Sequence, residues 1–370
     1  MSYFLKNNQN QNHNQQSEWM IIDVYNIFTK QYNNMKNKYN NNSNKNSNNN
    51  SNKIDEFDDD LIIELYDNIK NKIINLMKNK NSNFYVVLVN DNIINNGWRD
   101  SILSNYSEKF TFKYYESRKR QLWGYLFDYY LSSFIKENKY MYISNYTVEF
   151  IDIVAILTKY IEYNYSGDKI TIISSDSDFY QLINDNVSVL NMNGDEDVSR
   201  ILSSGEVNLW FKIIKGVRNI SSPVLFNISF INYFLQTNDD HKLMNAENYR
   251  ENIIINDNPD NFRELNKQEL YYFLHNLNIF KKILLDNTNY ILNNQHIINK
   301  KLIDFNNIPI EFIDIIEDEF INIFKKNYKN NINKTKILNK QCRIERNSHS
   351  NNAGNNASNN NRFLGLEIDD

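Results

Sequence analysis

The chain has 370 residues, a formal net charge of −4, 41% hydrophobic residues and one cysteine, Cys342. That length supports one large or two medium domains with a sizeable core, and a lone cysteine excludes an internal disulfide or a thiolate zinc cluster. No apolar run approaches the ~20 residues of a membrane span and no signal-peptide pattern is present, so a soluble protein of a reducing, intracellular compartment is expected.

In chain order, residues 1–16 are polar and expected to be disordered. Trp19-Met20-Ile21-Ile22 then runs into Asp23, and a helical pattern follows over 24–32. An Asn/Ser/Lys tract over 33–53 has almost no apolar content and reads as a loop inserted in the first crossover. Residues 55–78 form an amphipathic pattern with Ile62, Leu65, Ile69, Ile73 and Leu76 on one face and acidic residues in the first turn. A strand over 84–89 runs into Asn90-Asp91-Asn92, and Trp98-Arg99-Asp100 follows. A strand over 140–143 leads through a short turn to Glu149 and Asp152, at the start of an apolar helix over 150–163.

The run T-I-I-S-S-D-S-D-F-Y-Q-L over 171–182 is the most informative stretch. An apolar strand delivers two small hydroxyl residues and then Asp176 and Asp178, just past the strand end, where both can turn toward one point. Two carboxylates sharing a point repel, and a divalent cation is the natural way to keep both ionised. The five histidines are scattered without ligand spacing. Any metal is therefore expected on oxygen ligands, as one or two Mg²⁺ or Mn²⁺ ions. A further strand covers 187–190, the pattern is helical over 205–340, and a second Asn-rich tract over 341–370 reads as a disordered tail.

Strands that end in acids and alternate with helices predict an α/β fold: a parallel central sheet with flanking helices and a converging acidic cluster. Taken singly, an aspartate after a strand is also an ordinary helix N-cap. Trp98-Arg99, then Lys113, Arg118, Lys119 and Arg120, are interleaved with Phe112, Tyr114, Tyr115 and Trp123. That mixture suits phosphate binding and base stacking, or else a solvated helix face with a core stripe behind it.

The aspartate-pair motif, with its small residues before D-x-D and its Q-L after, resembles that of the structure-specific 5′ nucleases. These are the 5′-to-3′ exonucleases and flap endonucleases of PIN-like fold, and the pattern is nearest to the ribonuclease H type of T-even bacteriophages. The D-N-x(5)-W-R run over 91–99 and Leu302-Ile303-Asp304-Phe305 with Ile308-Pro309 extend the resemblance over most of the chain. It implies a PIN-like nuclease core over 17–204 and a mainly helical region over 205–340. It implies metal ligation by Asp23, Asp91, Glu149, Asp152, Asp176 and Asp178, with Arg118 and Arg120 on a helical arch stabilising transition-state charge. Its substrates would be 5′ ends or flaps of DNA or RNA–DNA hybrids, as in primer or flap removal. The less polar C-terminal ending would be a docking peptide for a replication-protein partner, or a frayed end.

Two positions depart from the family pattern. The third motif, E-A-D-D in the phage-type enzymes, is Glu149-Phe150-Ile151-Asp152, and the fifth, G-D-x-x-D-N, is Gly216-Val217-Arg218-Asn219-Ile220-Ser221, without either aspartate. These departures leave two other readings open: a nucleic-acid-binding protein on a nuclease fold, or an RNA-cleaving PIN-type nuclease.

Overall fold

Apolar runs form strands of parallel sheets, and among the described residues five strands make one sheet. The computed structural model describes residues 17–43, 59–78, 84–90, 98–102, 114–195, 204–215 and 290–328. Strand β1 (Glu18–Asp23) is buried from Trp19 onward. It pairs in parallel with β2 (Phe84–Val89) on one side, from Glu18 opposite Phe84 to Asp23 opposite Val89. On its other side lies β4 (Lys169–Ile173), from Glu18 opposite Lys169 to Ile22 opposite Ile173. The sheet is completed by β3 (Met141–Ile143) on β2 and β5 (Val187–Leu190) on β4, both parallel, giving the order β3-β2-β1-β4-β5. The winding direction reverses between β1 and β4, as in doubly wound sheets. The parallel α/β expectation is met.

Helix α1 (Val24–Ser43) is longer than the sequence pattern predicts. Residues 33–43, expected in a loop, continue the helix, because nothing between Asn33 and Lys38 breaks it and Met35 adds a buried contact to the core. Lys38 also pairs with Glu64 of α2 (Asp59–Met77) at 3.1 Å, an exposed contact of little energetic weight. The rest of the tract, 44–53, lies outside the described residues. The face predicted for α2 is the one it buries: Ile62, Leu65, Ile69 and Ile73 are covered and Leu76 packs at the margin.

The basic stretch is a helix, α3 (Tyr114–Leu126), continued by a π turn (Phe127–Leu131) and α4 (Ser132–Glu137). Trp123 is buried against Tyr25 and Phe28, ring centroids 5.8 and 5.2 Å away, so a core stripe does stand behind this helix. Helix α5 (Phe150–Asn164) buries residues nearly all round its middle, among them Ile153, Ala155, Leu157 and Ile161, as its apolar sequence requires. The described parts of 205–340 are helical: α6 (Gly205–Lys215), α7 (Tyr290–Ile303) and α8 (Ile310–Asn327). None of the described helices is long and apolar enough to cross a membrane.

The chain divides into two compact units, 1–320 and 321–370. The described part of the second is the end of α8 with Tyr328, whose ring lies 5.2 Å from that of Phe324.

Gly205 fixes where α6 begins. A methyl group there would lie 2.3 Å from the carbonyl oxygen of Gln181 and 2.8 Å from that of Ile183. Gly205→Ala is expected to lower stability by about 2 kcal/mol in urea unfolding, since rigid backbone rather than a mobile side chain must yield. A variant as stable as the parent would show that α6 is free to slide.

Candidate functional site

In an open parallel sheet, the crevice beyond the carboxyl ends of the strands at the reversal of winding is where ligands bind. Here that place lies between the ends of β1 and β4. Asp23 closes β1 and is buried; its Oδ1 accepts a hydrogen bond from the Asn26 amide at 2.9 Å and so caps α1. Its Oδ2 accepts from the Ser174 hydroxyl at 3.1 Å. Ser174, the first residue after β4, in turn accepts from the Asp176 amide at 3.1 Å. Asp176 caps the 3₁₀ turn Ser177–Leu182 by accepting the Asp178 amide at 2.8 Å. The D-x-D spacing thus builds a local capping turn, and one serine links it to the end of β1.

Asp178 forms an ion pair with Lys212 of α6. Helix α6 is held there by the Gly205 approach and by Asn208, whose Nδ2 donates to the Tyr180 carbonyl at 3.1 Å. Lys212 follows Asn208 by four residues and shares its face.

Glu149 and Asp152 meet a different cation. Arg99 is fully buried and donates from Nη1 and Nη2 to the two oxygens of Asp152, both at 2.8 Å, while Nη1 lies 3.0 Å from Glu149 Oε2. Its Nε donates to the Leu302 carbonyl at 2.8 Å, and its guanidinium stacks 4.3 Å from the centre of the Trp98 ring. Trp98 Nε1 donates to Asp152 Oδ2 at 2.7 Å. Asp152, expected as a metal ligand, is met in this structure by a guanidinium and an indole. Asp152 has no solvent exposure, and its oxygens answer a bidentate guanidinium and an indole, so an ion could reach it only by displacing Arg99.

Of the other predicted site residues, Asp91 lies outside the described residues, and of Arg118 the structure describes the helical backbone alone. Arg120 is described: its guanidinium sits over the Tyr25 ring at 4.9 Å, with Lys119 at 5.8 Å from the same ring. Tyr25 lies in the first turn of α1, the helix that Asp23 caps. At the neighbouring strand ends Asn90 donates to Ser144 at 3.2 Å. Burial pushes the nearby Tyr142 hydroxyl up to about 12, against hydrogen bonds to Ser144 and Asn90 that lower it.

Sequence reasoning missed three residues of this region. Ser174 was visible only as a small hydroxyl at a strand end. Lys212 has no local signature, being tied to a partner earlier in the chain. Gln181 uses its amide as a backbone bridge: Nε2 donates to the Ile303 carbonyl at 3.1 Å and Oε1 accepts from the Phe305 amide at 3.2 Å. The Leu302–Phe305 run is thus a docking segment for Arg99 and Gln181.

The donor chemistry suits a hard, oxygen-bound divalent ion. The arrangement fits it in part. Among the described residues no three His, Cys, Asp or Glu side chains are grouped so as to hold a metal ion. Asp23 and Asp176 stand at the reversal point joined through Ser174, whereas Asp178 is engaged by Lys212 and Glu149 by Arg99.

No family model and no curated protein matches the sequence. Among solved structures, the chain is similar to bacteriophage T5 5′-exonuclease with bound zinc, at 17% identity and TM-score 0.47, over 84% of this chain and 99% of that one. It is also similar to a complex of the phage T5 flap endonuclease with DNA and metal ions, at 16% identity and TM-score 0.44, over 83% and 98%.

Proposed function

We propose that this chain is a metal-dependent 5′-to-3′ nuclease that hydrolyses phosphodiester bonds at ends or flaps of DNA or RNA–DNA hybrids, as in primer or flap removal during replication or repair. The observation that carries the reading is the placement of Asp23 and the Ser174–Asp178 segment on either side of the reversal between β1 and β4. Arg120 and Lys119 stand over Tyr25, in the first turn of the helix that Asp23 caps, and such cations suit a phosphate.

In this reading Asp23 and Asp176, with Asp91 and Glu149, hold a Mg²⁺ or Mn²⁺ ion, and Asp178 faces a second. Such an ion, when bound, lowers the pKa of its water and polarises the phosphate. The chain's own contributions are positional. Asn26 and Ser174 fix the Asp23 carboxylate, the capping turn fixes Asp176, and Arg118 and Arg120 draw in and orient the phosphate. Asp152 is outside the ligand set and keeps Arg99 in place. A C-terminal tail that docks a replication protein belongs to the same proposal.

One observation favours a second reading, binding without cleavage. Glu149 and Asp178 already have cationic partners within the fold.

Both readings are tested with a 5′-labelled flap duplex and an RNA–DNA hybrid, in Mg²⁺ and in Mn²⁺, using the parent and Asp176→Asn. Short 5′ products that require metal and vanish in the variant are expected. Tight binding with no product under either metal would favour the binding protein, and cleavage confined to single-stranded RNA would favour the PIN-type alternative.

A further inference from the structure

We propose that a row of tyrosines on α2 and the π turn docks a basic segment of a partner protein, seating its arginine or lysine side chains on the rings. The row lies outside the residues assigned to the nuclease site.

Four rings make it. The Tyr125 ring centroid lies 4.5 Å from that of Tyr129 and 6.4 Å from that of Tyr130, and Tyr130 lies 5.4 Å from Tyr66 of α2. The π turn creates this arrangement. The Ser132 amide donates to the Phe127 carbonyl, so the turn holds one residue more than an α-helical turn. Tyr129 and Tyr130 therefore both reach Tyr125, whereas in a regular helix residues five apart diverge. Leu131 is buried and Phe127 stacks on Tyr142 at 4.4 Å, which anchors the turn from within. The other side faces solvent: Tyr129 is 68% exposed and Tyr125 39%, and Ile63, one turn before Tyr66, is 44% exposed.

Charge selects the partner. Asp59, Asp67 and Asp128 are exposed, and among the described residues no cation pairs with any of them. Desolvation pushes the Tyr125 hydroxyl up, and Tyr130, Asp59 and Tyr129 add to it, which puts the Asp59 charge at the row. Asp67 follows Tyr66 in the chain and Asp128 precedes Tyr129. Among the described residues the cation on a ring of the row is Lys70, 5.5 Å from the centre of Tyr66. Three carboxylates against one ammonium leave the face negative, which repels phosphates and draws in cations. Tyrosine faces are themselves negative and hold a guanidinium or ammonium further, as Lys70 already shows. An extended segment repeats its side chains on one face every ~6.6 Å, close to the spacing of these rings. A run with arginine at alternate positions therefore fits the row.

The probe is a fluorescein-labelled peptide of alternating arginine and serine, with binding read by fluorescence anisotropy. The parent is expected to bind it. Tyr125→Leu combined with Tyr129→Leu should weaken binding about tenfold, at about threefold for each ring, while Tyr129→Phe keeps the ring and the affinity. Asp59→Asn with Asp128→Asn should weaken it about threefold. Leucine is a good helix former at exposed positions, so the urea midpoint should hold. Should the double variant not fold, Tyr129→Leu carries the test with its threefold loss. No binding by the parent, or binding indifferent to loss of the rings, would overturn the proposal. A labelled single-stranded DNA oligonucleotide is run beside the peptide. If the leucine variant loses the oligonucleotide and not the peptide, the row is a base-stacking platform and the proposal falls. Ring-dependent peptide binding by a parent that cleaves no flap would uphold the docking surface and count against the nuclease alone.

Discussion

Arg99→Ala is expected to lower the stability of this protein by about 3–5 kcal/mol, read as the shift of the urea unfolding midpoint. The size follows from what the guanidinium leaves behind. Asp152 is fully buried, and without Arg99 its charge keeps one indole donor in place of a bidentate cation. The Leu302 carbonyl and the Glu149 carboxylate lose contacts at 2.8 and 3.0 Å in the same step. Lysine should not rescue the site, because a point charge reproduces neither the fork on Asp152 nor the stacking on Trp98. The pair Arg99→Met with Asp152→Leu should recover part of the loss, since an apolar pair of similar volume carries no stranded charge. A loss below about 1 kcal/mol for Arg99→Ala would mean that water reaches Asp152 and that its burial is not maintained in solution.

Asp23→Asn is expected to reduce metal-dependent cleavage at least ~100-fold, while stability changes by less than about 1 kcal/mol. Asparagine keeps the shape of the side chain and an oxygen to accept the Asn26 amide, so α1 remains capped. The Ser174 hydroxyl can rotate to accept from the new amide instead of donating. What disappears is the negative charge at the end of β1. Asp23→Ala, by contrast, removes both cap and charge and should show a stability loss as well. Cleavage by Asp23→Asn within tenfold of the parent would place the reacting metal elsewhere.

Some of this was legible in the sequence, and the reasons are physical. The apolar runs of β1 and β2 could be read directly from the sequence, and β3, β4 and β5 could be read from shorter, partly alternating runs. The periodic face of α2 identified its four buried residues, because a helix on a sheet exposes a regular stripe. The run of α1 through residue 43 was hidden, since asparagine gives no helical signal and one buried methionine was enough to extend it. The strand order was not legible, because it is set by crossovers that no local pattern encodes. Asp152 shows the same limit at the site. Glu149 and Asp152 do share a helix face, but whether that face meets a metal or a guanidinium depends on Arg99, far back along the chain. Arg99 stands out in the sequence as a cation beside an aromatic ring suited to gripping phosphate, but it is fully buried on Asp152 and Glu149, a pairing no local pattern encodes.

The Leu302–Phe305 segment has a consequence for the order of events during synthesis. Arg99 bonds to a carbonyl 203 residues further on, and Gln181 to one 122 residues further on. A ribosome that has made all five strands has still not supplied the acceptors that finish the carboxyl edge of their sheet. The emerging chain must therefore carry the Arg99 Nε donor on water, and the Gln181 amide on the Asp178 carbonyl alone, until residues 302–305 arrive. Closure of this carboxyl edge thus comes late in translation, after the sheet beneath it can already form.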